Sequence, residues 1–171
     1  MVCADGLDLN LKHFRENLKL GSGGETGPDN DMLRNTTERI GAYIMCKHMF
    51  DQGERAWPKE APFHTPVNML TRDRRDFWAR PGGTTFYFIN KRPEIALELA
   101  RKSAGNRDIQ IAGGANMIQQ YLNMSVIDEL EIALAPTLFC GGHRLFDSLN
   151  KSEQQFRIDE IVDSSSATHL R

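Results

Sequence analysis

Apolar positions along the 171-residue chain change their period several times, and each change marks an element. Between Leu7 and Leu20, Leu9, Phe14 and Leu18 stand among charges, the spacing of a short amphipathic helix. Gly21, Gly23, Gly24, Gly27 and Pro28 then form a breaker-rich linker. A helix is expected from Asp29 to Arg39, with Asp29 as its N-cap. Ala42–Met45 is a continuous apolar run, as in a strand buried on both faces, and a short helix, Lys47–Glu54, follows it. Pro66–Thr71 and Thr84–Ile89 read as further strands, the latter rich in β-branched and aromatic residues. Arg92–Ala104 is the clearest helix. Pro93 suits its first turn, Ile95, Ala96, Leu99 and Ala100 share a face, and Gly105 ends it. Asp108–Ala112 is a strand that runs into Gly113-Gly114, and a helix then carries Ile118 and Leu122 on one face as far as Asn123.

Beyond Asp128 the period shortens to two. Leu130, Ile132 and Leu134 alternate with Glu129 and Glu131 over Glu129–Ala135, which predicts a strand with one wet face. Gln155–Val162 and Thr168–Arg171 read as two more strands. Alternating β and α units that give way to a run of strands imply an α/β fold. Its expected form is a mixed, mainly parallel central sheet with flanking helices and an antiparallel C-terminal edge. Residues 1–30 form an N-terminal segment and linker, and residues 31–171 the folded domain.

Composition removes several classes of function. A net charge of −2 argues against a nucleic-acid footprint, which needs a basic surplus on one face. No apolar run reaches the roughly 18–20 residues of a membrane span, and Asp5 and Asp8 interrupt any signal-peptide core. Cys3, Cys46 and Cys140 are scattered, which suits a reducing compartment and a cytoplasmic protein. The five histidines are equally dispersed, and no His-x-Glu or Pro-Cys-x-x-Cys pair is present. Neither a metal site nor a zinc deaminase is therefore expected.

Candidate chemistry gathers where strands meet helices. In Ile109–Asn116 a strand ends in Gly113-Gly114 and a helix begins at Ala115 and Asn116. Without Cβ atoms the backbone lets an anion approach the free N–H groups of the helix start; a tight turn with no ligand is the alternative. Lys47 opens a helix after Cys46 and beside His48, as a phosphate partner or as a plain surface lysine. Thr71 and Arg72 leave a third strand end together, and the local run Arg72, Arg74, Arg75 also reads as a solvated loop. If the strands are parallel, these junctions converge on one rim, as a dinucleotide with several phosphates requires. In Pro136–Phe146, Gly141-Gly142 reads as a turn, with Leu145 and Phe146 as core.

The segments Ile44–Phe50, Val67–Arg72, Ile109–Leu122 and Asp128–Phe146, in that order, resemble the dihydrofolate-reductase-like domain that forms the reductase part of bacterial riboflavin-biosynthesis enzymes, the RibD C-terminal family. Gly24–Asp29 and Gly82–Phe86 are similar to its stand-alone bacterial branch, so the resemblance spans residues 24–171. It implies an NADPH-dependent reductase, homodimeric, transferring hydride to a small pyrimidine-type substrate such as 5-amino-6-(5-phosphoribosylamino)uracil. It further implies that Cys46, Lys47 and His48 meet cofactor phosphates, that Thr71 and Arg72 lie near the adenosine 2′-phosphate, and that Gly113, Gly114, Ala115 and Asn116 cradle the pyrophosphate. Cys3–Leu7 mimics the family's substrate-facing loop, which makes Asp5 the candidate catalytic carboxylate. Cys46 and Cys140 stand where relatives carry glycine, and a Cβ at residue 46 is costly if that backbone takes positive φ. A structurally retained, non-catalytic relative is the alternative reading.

Overall fold

The computed structural model describes residues 27–138, 141–150, 155–165 and 167–171. The expected helix at Leu7–Leu20, the Cys3–Leu7 run with Asp5, and Cys140 lie outside the described residues. Helix α1 (Pro28–Arg39) runs straight into strand β1 (Ile40–Cys46), and α2 (Lys47–Glu54) starts at the next residue. Strands β2 (Pro66–Leu70), β3 (Trp78–Ala79) and β4 (Thr85–Ile89) follow, then α3 (Pro93–Ala104), β5 (Asp108–Ile111) and α4 (Ala115–Asn123). Three short strands close the chain: β6 (Ile132–Leu134), β7 (Ile161–Asp163) and β8 (Thr168–Leu170).

The central sheet has the order β3-β4-β2-β1-β5, parallel throughout except for β3, which runs antiparallel to β4. Both faces are covered, which is why β1 carries a continuous apolar run: every residue from Ile40 to Met45 is buried. Tyr43 and Met45 pack with Phe50, Val67, Met69 and Phe86 on one side. Ala42 and Ile44 meet Leu97, Ala100, Ala104, Met117 and Tyr121 on the other. The mixed α/β class with a mainly parallel sheet is as the sequence pattern implies. The C-terminal strands are also antiparallel, but they pair as β6-β8-β7 in a sheet of their own rather than along the edge of the central one.

Four local expectations are corrected. Gly27, not Asp29, is the N-cap of α1; Pro28 takes the first turn, and the Asp29 carboxylate instead meets His169 Nε2 at 2.6 Å. On α3 the buried face is Ala96, Leu97, Ala100 and Ala104, while Ile95 and Leu99 turn outward. Small side chains are what this contact needs, because α3 lies close over β1: a Cβ on Gly41 would stand 2.7 Å from the Ala104 carbonyl oxygen. The strands expected at Glu129–Ala135 and Gln155–Val162 shrink to three residues each. Phe146, expected in the core, is half exposed.

Arg39, at the junction of α1 and β1, ties the two sheets together. Its guanidinium lies 3.5 Å from Asp108 at the start of β5 and 2.7 Å from Glu129 just before β6. Arg171 adds contacts to Glu129 at 3.3 Å and to Glu160 at 2.9 Å. The hydrogen bond from Arg39 holds the Glu129 carboxyl below its ordinary value, and the Arg39 and Arg171 charges act in the same direction. A lowered folded-state pKa contributes stability that is complete above the ordinary value of 4.5 and is lost as pH falls through the folded value. Arg39→Ala is therefore expected to cost about 1 kcal/mol or less at pH 7, the groups being substantially solvated. Thermal melts of both proteins should converge as the pH drops below that carboxylate range. A deficit that stayed constant down to acid pH would show that the ion pair is not its source.

Candidate functional site

The parallel strands deliver their carboxyl ends to one rim, and a cavity of about 550 Å³ opens there. Cys46 ends β1, Leu70 ends β2, and the loop after β4 brings in Lys91 and Pro93. The start of α4 supplies Gly114, Ala115 and Asn116, and His143 arrives from the segment that follows β6. Of the residues singled out from sequence, Cys46, Lys47, His48, Thr71, Arg72, Gly114, Ala115 and Asn116 all line this cavity. Gly113 stands behind them: its carbonyl accepts the Cys46 N–H at 3.4 Å, and its φ of 113° is one that an L side chain rarely adopts. Its peptide bond to Gly114 is cis.

Two helices point their N-termini at this space, α2 through Lys47 and α4 through Ala115 and Asn116. The first-turn N–H groups of a helix lack intrahelical partners and carry partial positive charge. At α4 the Gly114 N–H is taken by the Cys46 thiol at 3.4 Å, whereas the Ala115 and Asn116 N–H groups have no partner among the described residues. Cys46 itself is unstrained, with φ −83° and ψ 156°, so its Cβ carries no conformational cost there. Gln120 Nε2 donates to Asn116 Oδ1 at 2.7 Å, which leaves the Asn116 amide nitrogen as a donor.

Charge on the rim is mostly cationic. Lys47 is anchored by Asp51 at 2.6 Å and approached by Asp73 at 3.6 Å; the Asp51 hydrogen bond raises its pKa, so it stays an ammonium through the physiological range. Arg72 and Lys91 form no ion pair among the described residues. Their loops are joined where Asn90 Nδ2 donates to the Arg72 carbonyl. The Thr71 hydroxyl accepts the Asp73 N–H at 3.0 Å and so fixes the turn that presents Arg72. On the far wall the Tyr121 hydroxyl donates to the Pro93 carbonyl at 3.0 Å, pinning α4 to the start of α3. Burial raises the Tyr121 pKa well above the ordinary tyrosine value and keeps this donor protonated. Among the described residues no carboxylate lines the cavity. Among the described residues no cluster of three or more His, Cys, Asp or Glu side chains is assembled for a metal ion, and no helix is long and apolar enough to cross a membrane.

Sequence reading missed Lys91, Gln120 and His143. Lys91 was within reach, since it lies in a fourth strand–helix junction between Thr84–Ile89 and the Pro93 helix. Gln120 follows Asn116 by one helical turn, but nothing local distinguished it from a solvated residue. His143 reaches the rim only because its segment folds back over α4, where Gln119 Nε2 donates to the Arg144 carbonyl at 2.8 Å.

Residues 90–170 match the family model for the RibD C-terminal domain. Among solved structures, the crystal structure of a "putative riboflavin biosynthesis protein" from Shewanella sp. PV-4 has the same fold, with a TM-score of 0.64 and 22% identity, covering 90% of this chain and 84% of that one. Among curated proteins no sequence matches this chain.

Proposed function

From the RibD C-terminal match over residues 90–170, we propose that this chain is a nicotinamide-dependent reductase, specific for NADPH, that reduces a small pyrimidine-type or related substrate in the cytoplasm. The observation that carries the reading is a cationic rim with two helix N-termini opening on one cavity. These residues fit a dinucleotide. The Ala115 and Asn116 N–H groups would take the pyrophosphate, and Lys47 and the α2 N-terminus would add a second anion contact. Arg72, paired with no carboxylate among the described residues and set by Thr71, would take a phosphate on the adenosine ribose. A Cβ on Gly114 would meet nothing within 4 Å, so the glycine leaves open space at the cavity wall.

When bound, NADPH supplies the hydride. The chain's own task is to bind and orient: the Gly113–Asn116 turn and Lys47 hold the phosphates, and the tie from Tyr121 on α4 to the start of α3 keeps the wall rigid. Asp5 would orient the substrate in this reading. A second reading, a retained relative without hydride transfer, draws on two facts: the Cys46 thiol occupies the Gly114 amide, and among the described residues the cavity lining holds no carboxylate.

Calorimetric titration with NADPH and, separately, NADH tests the proposal. Micromolar binding of NADPH is expected, and Arg72→Ala should weaken it by about tenfold while leaving NADH unchanged, the loss of one charge-assisted contact. A folded protein that binds neither nucleotide would sink the reductase reading and favour the second one.

A further inference from the structure

Helix α4 carries two exposed amides one turn apart, Asn116 and Gln120, and their own hydrogen bonds decide which atoms are left for a ligand. The Gln120 amide meets the Asn116 backbone carbonyl at 3.4 Å and Asn116 Oδ1 at 2.7 Å. A backbone carbonyl can only accept, so the Gln120 atom turned towards it is the donor, Nε2. The Asn116 atom that shares this donor must then be its oxygen, which settles the orientation of both amides. What remains is a matched pair: Gln120 Oε1 to accept and Asn116 Nδ2 to donate. Both residues line the cavity, and phosphate binding at the Gly113–Asn116 turn uses only backbone. Tyr121, the next residue, donates to the Pro93 carbonyl at 3.0 Å and sets this turn of α4 against the start of α3. Pro93 and Leu70 give that end of the cavity apolar surface; Arg72 and Lys91, which follow the paired strands β2 and β4, give it charge.

We propose that Gln120 and Asn116 read the purine base of the bound dinucleotide and select adenine. Adenine places its N6 amino donor beside a ring-nitrogen acceptor. That order matches Gln120 Oε1 and Asn116 Nδ2, and it is the pattern by which amide side chains recognise adenine in general. The base faces would lie on Leu70 and Pro93, with the ribose phosphate towards Arg72. Hypoxanthine carries an oxygen in place of the amino group. In the same pose it sets that oxygen against Gln120 Oε1, two acceptors with no proton between them. Gln120 is thereby a specificity-determining residue, and Asn116 is both its partner and the second reader. The assignment rests on the nucleotide-binding reading and adds the base to it.

Calorimetric titration of the full chain with three dinucleotides tests it: NADPH, its hypoxanthine analogue, and its acetylpyridine analogue, which lacks the carboxamide nitrogen. The wild type is expected to bind NADPH about tenfold more tightly than the hypoxanthine analogue, the worth of one solvent-exposed hydrogen bond and one acceptor clash. Gln120→Met keeps the length and helix propensity of the side chain but removes the acceptor. It should melt as the wild type does and bind the two nucleotides within about twofold of each other, the base preference being lost with the hydrogen bond. Asn116→Ala, which keeps the backbone N–H, should lose the same preference. Equal wild-type affinity for NADPH and the hypoxanthine analogue, or a base preference that survives in Gln120→Met, would overturn the proposal and leave the reductase reading standing. A wild type that binds no dinucleotide would end both. If Gln120→Met instead erased a preference for NADPH over the acetylpyridine analogue, the amide pair would hold the nicotinamide carboxamide and the adenine assignment would be wrong.

Discussion

Gly114→Val folds as the wild type does and loses NADPH affinity by about 10–100-fold, the equivalent of one charge-assisted hydrogen bond or somewhat more. The new side chain meets no protein atom near its Cβ, and Gly114 has an ordinary φ of −81°, so neither packing nor backbone geometry opposes it. Its branches instead enter the space beside the Ala115 and Asn116 N–H groups, which have no partner among the described residues and where a pyrophosphate would lie. Calorimetry for affinity and a thermal melt for stability separate the two effects. Gly113→Ala makes the contrast: its φ of 113° is strained for any L side chain, so that variant should lower stability as well. Wild-type affinity in Gly114→Val would place the nucleotide somewhere other than this turn.

Phe50→Ala should be the most damaging single substitution in the central domain, costing about 3–5 kcal/mol out of the roughly 5–15 kcal/mol that a domain holds in total. Phe50 is 1% exposed and lies at the centre of an aromatic cluster. Its ring meets Phe86 at 5.1 Å, Phe88 at 5.4 Å, Trp57 at 5.8 Å and Trp78 at 6.4 Å, all edge to face. The guanidinium of Arg75 sits 5.7 Å from the same ring, adding a cation–π contact. Truncation leaves a cavity among rigid rings that cannot close over it, so the melting temperature should fall by roughly 10 °C or more. Because Phe50 is the buried anchor of α2, Lys47 and His48 at the start of that helix lose their fixed position, and nucleotide affinity should fall too. Phe50→Leu keeps most of the volume and should recover most of the stability. A melting temperature unchanged in Phe50→Ala would mean that the cluster does not hold α2 in place.

Much of this architecture is local and therefore legible in one dimension. The buried run Ile40–Met45, the Pro93 helix with Gly105 at its end, and the Gly113-Gly114 turn into α4 follow from periodicity and caps, and those regularities need only neighbours in the chain. The site residues at these junctions were legible for the same reason: parallel strands must all deliver their carboxyl ends to one side, so Cys46, Thr71 and Gly114 were bound to converge. The inward face of α3 was not legible. Ile95 and Leu99 are better hydrophobes than Ala96 and Ala100, yet the helix turns the alanines inward because Gly41 and Ala104 sit almost in contact.

Only the tertiary structure decided the rest. The thiol of Cys46 reaches an amide 68 residues away, which no local pattern encodes, and whether that anion-binding amide is free or occupied turns on that contact. His143 joins the rim through a segment whose own sequence reads as a turn. The alternation beyond Asp128 foretold strands with one apolar face, but not which face would meet the protein. Asp29, Thr36 and Arg39 on α1 claim the polar side through hydrogen bonds and ion pairs, and the apolar side is left outward. The period of a sequence fixes which residues share a face; which face is buried depends on what the rest of the fold can offer it.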